Sequence, residues 1–260
     1  MADHTNSSIL KPAIIRSEKF ASFPNLVHGV STKLGGNTLP PFFNNMSFKV
    51  GDDEERVRTN RNKFFSSLGI EQSNLAIPQQ IHSDNVMIIN TPGYYENTDA
   101  LITSEKNVFL IISTADCYSI LIYDKEREIV SAVHSGWRGT HKKILSKTAN
   151  VLLNEIGCRK KDLGFFIGPG ICRDHFDVGE DVAEMFDKKF INRKNEKYFI
   201  DFKEHILNQL HEIGISHSQI DVSPYCTYEE KDYLHSYRRD RTNSGRMFSV
   251  IGMRSPSLSS

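Results

Sequence analysis

Residues 107–140 read NVFLIISTADCYSILIYDKEREIVSAVHSGWRGT, with apolar, β-branched runs on either side of the charged segment Asp124-Lys125-Glu126-Arg127-Glu128. Such runs suit the pleated, half-buried surface of a strand, and a charged break between them marks a turn. The segment predicts an antiparallel hairpin with its axis near residues 125 and 126. In that register Cys117 stands opposite His134, with side chains on one face and Cβ atoms about 5 Å apart. A thiol and an imidazole so placed can share a metal ion or form a thiolate–imidazole pair. The plainer alternative is a buried thiol beside a structural histidine with its hydrogen bonds satisfied.

Helical periodicity runs from Asp52-Asp53 through Val57, Arg61, Phe64, Phe65 and Leu68 to a stop at Gly69. It returns from about Thr140 to Gly157, over roughly 180–190, and from Asp201 through Ile206 and Leu210 to Gly214. Strands are predicted over 86–90, 108–113, 118–123, 128–133, 163–167 and 219–223. They do not alternate regularly with helices, and no Gly-rich turn of the dinucleotide-binding type follows any of them. The expected class is α+β, mixed β-sheets with helices packed outside them. No repeat or linker divides the chain, so one domain over 1–260 is expected, with flexible polar ends at about 1–8 and 255–260.

Charge narrows the partners. The 32 Lys and Arg balance 32 Asp and Glu, which removes the electrostatic case for nucleic acid or an anionic membrane surface. The longest strongly apolar run, 108–112, is far short of the roughly 20 residues that cross a bilayer. The first residues, MADHTNSS, lack a basic patch followed by an apolar run, and a cytoplasmic location is expected. Cys117, Cys158, Cys172 and Cys226 form no C-x-x-C pair. That argues against a zinc ribbon, a thioredoxin-type site or a disulfide framework, and the thiols are expected to stay reduced.

His82, in Pro78-Gln79-Gln80-Ile81-His82, precedes a predicted strand. With Cys117 and His134 it would make a three-ligand set with an open fourth position, the pattern of catalytic zinc. Spacing alone does not choose it over His28, His175 or His235. After His134 comes Gly136-Trp137-Arg138-Gly139, a strand-to-helix turn able to cradle an anion with Arg138 as its cation; Arg138 could equally stack on an aromatic ring. Arg238, Arg239 and Arg246 add guanidinium groups near the carboxyl end, the plain alternative being a solvated basic loop partly neutralised by Asp240.

Taken together these segments resemble the laccase-domain family, also called YfiH-type or multicopper polyphenol oxidase, and described as zinc-dependent purine nucleoside phosphorylases. The shared motifs include His28-Gly29-Val30-Ser31-Thr32, Gln80-Ile81-His82, Asp99-Ala100-Leu101, Thr114-Ala115-Asp116-Cys117, Val133-His134, Gly136-Trp137-Arg138-Gly139, Ile167-Gly168-Pro169, Cys226-Thr227 and Ser236-Tyr237-Arg238-Arg239-Asp240. Departures include Ser83 where Gly is usual and the divergent stretch 170–175.

The resemblance implies an α/β/β/α sandwich with His82, Cys117 and His134 as Zn²⁺ ligands. It implies phosphorolysis of adenosine, inosine and methylthioadenosine, with adenosine deamination beside it, and so purine nucleosides and phosphate as partners. Asp116, next to the metal thiolate, is the acid/base candidate, and Arg138, Arg238 and His28 are the candidates for the substrate and phosphate side. Two other enzyme readings compete: a copper polyphenol oxidase, with copper replacing zinc or binding adventitiously, and a cysteine hydrolase of peptidoglycan editing with Cys117 as nucleophile. Cys158, Cys172 and Cys226 are expected to be dispensable for the chemistry.

Overall fold

A computed structural model describes residues 11–255. The flexible ends expected at 1–8 and 255–260 lie outside the described residues, apart from Ser255. In chain order the first strands are β1 (Ile14–Ile15), β2 (Leu26–Ser31), β3 (Leu75–Pro78), β4 (Val86–Ile88) and β5 (Gly93–Tyr95). Then come β6 (Ala100–Thr103), β7 (Phe109–Thr114), β8 (Tyr118–Asp124), β9 (Ile129–Ser135) and β10 (Leu163–Ile167). The last are β11 (Asp177–Val178), β12 (Ile191–Lys194), β13 (Lys197–Ile200), β14 (Ile220–Val222) and β15 (Met247–Met253). The α-helices are α1 (Glu54–Ser67), α2 (Trp137–His141), α3 (Ile144–Asn150), α4 (Glu180–Ala183), α5 (Phe202–Glu212) and α6 (Tyr237–Asp240).

Two six-stranded mixed sheets carry the architecture, in the orders β1-β2-β15-β7-β3-β5 and β14-β10-β8-β9-β6-β4. Strand alternation sorts their side chains into three cores. Leu110, Ile112, Val30 and Ile251 of the first sheet meet Leu121, Val130, Ala132 and Phe166 of the second. The opposite face of the first sheet, with Phe109, Ile111 and Val250, packs on Phe64, Phe65 and Leu68 at α1. The opposite face of the second, with Ile120, Ile122 and Phe165, packs on Ile144 and Leu145 of α3 and Ile206 and Leu210 of α5. The central strands are buried on both sides, which is why β7 and β8 read as continuous apolar runs rather than alternating ones. The order helix, sheet, sheet, helix is the expected α+β sandwich.

Helix α1 starts where Asp53 accepts the backbone N–H of Arg56 at 2.9 Å, and α5 where Asp201 accepts that of Glu204 at 3.0 Å. The long helix expected over 140–157 is instead three pieces. α2 begins earlier, at Trp137, Lys143 takes a left-handed φ of 61°, and α3 passes into a π-turn over Val151–Glu155. The helix expected over 180–190 stops at Ala183, because Asp187 is extended and its carboxylate caps a new short turn at Lys189 N–H. Such local side-chain bonds compete with helix continuation.

The hairpin forms with its axis one residue later than expected. The last pair is Asp124↔Ile129, and Ser119, not Cys117, is the partner of His134. The loop is four residues because Asp124 Oδ1 accepts the N–H groups of Glu126 and Arg127 at 2.9 and 3.0 Å, and Glu128 turns through φ 53°. Moving the axis by one residue moves every partner by two, so the faces are kept. Cys117 and His134 become diagonal neighbours on one side.

Candidate metal centre

β3 and β7 run parallel in the first sheet, so their carboxyl ends, at Pro78 and Thr114, reach the same edge. From there both chains cross to the second sheet, one through residues 79–85 into β4 and one through 115–117 into β8. His82 lies on the first crossing and Cys117 on the second; His134 comes up from the end of β9. The ligand-capable atoms of these three side chains lie within 4.8 Å of one another. His82 is exposed, Cys117 half-buried and His134 buried.

Asp99, fully buried just before β6, organises the group. Its carboxylate accepts the backbone N–H groups of Ile81, His82 and Ser83 at 3.2, 3.1 and 2.7 Å and the Ser83 hydroxyl at 2.7 Å. The loop can wrap the carboxylate because His82 adopts φ 59°, a backbone nest for an anion. Asp99 Oδ1 also sits 2.7 Å from His134 Nδ1. Burial pushes the Asp99 carboxyl up, but the hydrogen bonds from His134 and Ser83 outweigh it and hold it at about 2. A carboxylate can only accept, so His134 Nδ1 carries the proton and Nε2 is left to face Cys117. Burial disfavours the charged imidazole, yet Cys117 and Asp99 together push His134 up to about 9, so without a metal Nε2 also holds a proton towards Cys117, one that a bound ion would displace. His82 is shifted the other way, first by desolvation of its ring against the neighbouring loops, although the residue as a whole is exposed, and then by His134.

The donor set and the space both fit a metal. Thiolate and two imidazoles are soft-to-borderline donors of the kind zinc prefers. A Cβ at Gly136 would lie 2.7 Å from His82 Nδ1 and 3.0 Å from Cys117 Sγ. Gly136 has an ordinary extended backbone, φ −82° and ψ 173°, so its missing side chain serves the space between the ligands rather than the turn.

The remaining candidates separate. Asp116 lies on the cavity wall with φ 93°, a strained backbone for a non-glycine. It is over-determined by Thr227 Oγ1 donating to Oδ1 at 2.7 Å, Arg238 N–H donating to Oδ2 at 2.6 Å and Ile171 N–H donating to its carbonyl at 2.9 Å. Arg238 also reaches the wall, its Nη1 held by the Asp177 carbonyl and carboxylate at 2.8 Å each. Arg138 does not line the cavity. It is exposed, with its guanidinium stacked 4.1 Å above Trp137. His28 does not reach the cavity either. Strand alternation in β2 turns it, like Val30, into the core between the sheets. There its Nε2 accepts Ser17 N–H at 2.9 Å and its ring meets Phe20 and Phe166. Of the three residues expected on the substrate and phosphate side, Arg238 alone lines the cavity.

The cavity measures about 880 Å³. Arg61, Arg241 and Arg246 join Arg238 on its wall, and Phe48, Tyr94, Trp137, Tyr237 and Phe248 supply aromatic surface. Arg61 is fixed by donating to the Met46 carbonyl at 2.7 Å and stacking on Phe48 and Phe248. Burial pulls Arg246 down from its ordinary value while the nearby Asp116 and Cys117 oppose the shift. Arg246 was visible as a guanidinium beside Gly245, but Arg61, inside a helix, carried no sequence signal beyond its place on the buried face.

A family model described as multi-copper polyphenol oxidoreductase laccase matches residues 27–254. The chain is 34% identical over 236 residues to a protein of Deinococcus radiodurans named purine nucleoside phosphorylase, covering 88% of this chain and 91% of that one. It is 34% identical over 253 residues to a protein of Bacteroides thetaiotaomicron with the same name, covering 90% and 94%. Among solved structures, the hypothetical protein YfiH of Bacillus licheniformis superposes with a TM-score of 0.87 at 29% identity, over 94% of this chain and 97% of that one. YlmD of Geobacillus stearothermophilus gives 0.87 at 28% identity, with the same coverage.

Proposed function

The chain belongs to the family described as multi-copper polyphenol oxidoreductase laccase, and from the relatives named purine nucleoside phosphorylase and the His82, Cys117 and His134 trio we propose that it is a zinc-dependent purine nucleoside phosphorylase. His82, Cys117 and His134 would hold the ion. When bound, Zn²⁺ supplies a Lewis acid that polarises a substrate oxygen. The rest of the chemistry falls to the protein. Arg246, with Arg61, Arg238 and Arg241 around the same cavity, holds phosphate. A phosphate oxygen bonds to the ribose anomeric carbon as the glycosidic bond breaks, and the electron pair leaves with the purine. Aromatic rings such as Phe48 and Tyr237 offer faces on which the base stacks. Asp116 accepts one protein hydrogen bond at each oxygen, which leaves a lone pair on each for a phosphate proton or a ribose hydroxyl.

The observation that carries this reading is one cavity lined by a sulfur–nitrogen donor trio, four guanidinium groups and aromatic walls. Its volume suits a nucleoside with phosphate. Adenosine deamination at the same centre ranks second, because it leaves the guanidinium cluster without a ligand. Copper binds thiolate and imidazole well by general preference and would load adventitiously. Oxidation by several coppers needs several donor sets, and the cavity is lined by one such trio. The test is reconstitution: chelator-treated protein is reloaded with zinc or copper, and inosine turnover should follow zinc occupancy. Oxidation of a phenol that follows copper, with nucleosides untouched, overturns the proposal.

A further inference from the structure

Cys172 and Cys226 are far apart in sequence, and the proposed reaction uses neither. Both are free, yet their sulfurs lie 2.8 Å apart, inside ordinary van der Waals contact. The pairing is built into the backbone. Gly170 and Cys226 form a parallel bridge, Thr227 N–H donates to the Gly170 carbonyl at 3.0 Å, and Cys172 N–H donates to Cys226 Sγ at 3.2 Å. Cys226 is 7% exposed, whereas Cys172 is half-buried and faces Glu229, with Sγ 3.6 Å from Oε1.

We propose that Cys172 and Cys226 form a redox-active dithiol that a small hydroperoxide converts to a reversible disulfide. Cys226 is the nucleophile. The hydrogen bond shared with Cys172, and the Cys172 N–H that donates to its sulfur at 3.2 Å, hold its thiol below the ordinary thiol value against the effect of burial. The same hydrogen bond, burial and the Glu229 carboxylate keep Cys172 protonated. The Cys226 thiolate attacks one peroxide oxygen, forming an S–O bond as the O–O bond breaks. The leaving hydroxide takes the Cys172 proton and departs as water. The Cys172 thiolate then attacks the Cys226 sulfenic sulfur, forming the S–S bond and expelling hydroxide. The peroxide is reduced by two electrons and the two thiols are oxidised by two. Closing the bond brings the sulfurs from 2.8 Å to about 2.05 Å, so little of the fold has to move. A small thiol reverses the change by exchange.

The site lies directly behind Asp116, since Ile171 N–H and the Thr227 hydroxyl both donate to that residue. It does not depend on the metal, and the test is arranged to keep the two apart. Zinc-loaded protein and a Cys117→Ser variant are treated with a few equivalents of hydrogen peroxide, alkylated, digested and read by mass spectrometry. Both should lose two hydrogens per chain and yield one cross-linked peptide pair carrying Cys172 and Cys226, with Cys158 alkylated. A small thiol should restore both cysteines. In a Cys172→Ser variant, whose altered side chain is half-buried and leaves the core intact, a 1,3-diketone should trap sulfenic acid on Cys226. Free, alkylatable Cys172 and Cys226 after peroxide overturns the proposal, as does label elsewhere than Cys226. Cys172, His175 and Glu229 also bring ligand-capable atoms within 4.8 Å of one another, and a zinc ion held there that blocks the cross-link overturns the proposal too.

Discussion

The Asp99 carboxylate stands 2.7 Å from His134 Nδ1 while its other contacts bind the backbone of the loop that carries His82. One buried charge therefore fixes a ring tautomer on β9 and the path of a crossing loop at once. Asp99→Asn keeps the shape but exchanges an acceptor for a donor at one position. Zinc affinity, measured by chelator competition, should fall about 10–100-fold. Turnover should recover at saturating zinc more fully than it does in His134→Ala.

Gly136 gives no ligand atom, yet Gly136→Ala should weaken zinc binding by about tenfold or more, because its Cβ would press on His82 Nδ1 and Cys117 Sγ. The metal-free variant should melt within a few degrees of the unsubstituted chain, since the backbone at 136 suits alanine. Equal losses of stability with and without zinc would contradict this account of the glycine.

Much of this was legible beforehand. The β8–β9 hairpin declares itself because two long apolar runs flank a charged turn. α1 and α5 declare themselves because Asp53 and Asp201 cap clean periodic stripes. β3, β5 and β6 were missed because they have three or four residues each and contain or adjoin Gly, Pro or Thr. β15 was passed over although it is a seven-residue apolar run. The role of Asp99 was illegible because it arises where a loop from the first sheet meets the start of a strand in the second, and no local pattern records that meeting. For Arg138 the sequence left an anion role and stacking on an aromatic side by side, and in the fold its guanidinium stacks on the neighbouring indole.

The difference between the arginines is measurable. Arg246→Gln should raise the KM for phosphate by about 10–100-fold, the worth of one charge-assisted hydrogen bond. Arg138→Gln should change it by less than about threefold. The reverse ranking would return the phosphate to the helix terminus.

Acid should destabilise the fold through His28. Burial lowers its pKa to about 4 in the native state from the ordinary 6.5. The unfolded chain therefore takes up the proton first, so this stabilisation is full above pH 6.5 and is lost as pH falls towards 4. The native ring is nearly inaccessible, and the shift corresponds to roughly 3 kcal/mol at most. In His28→Gln, the drop in Tm between pH 7 and pH 4.5 should be smaller than in the unsubstituted chain.

Product identity in adenosine and inosine incubations, run with and without phosphate on zinc-loaded protein, tests the central claim most directly. The account predicts free adenine or hypoxanthine with ribose-1-phosphate, formed only when phosphate is present and abolished by Cys117→Ser together with the loss of zinc. Phosphate-independent conversion of adenosine to inosine as the sole reaction would contradict it. So would the absence of any turnover from a chain that retains its full complement of zinc.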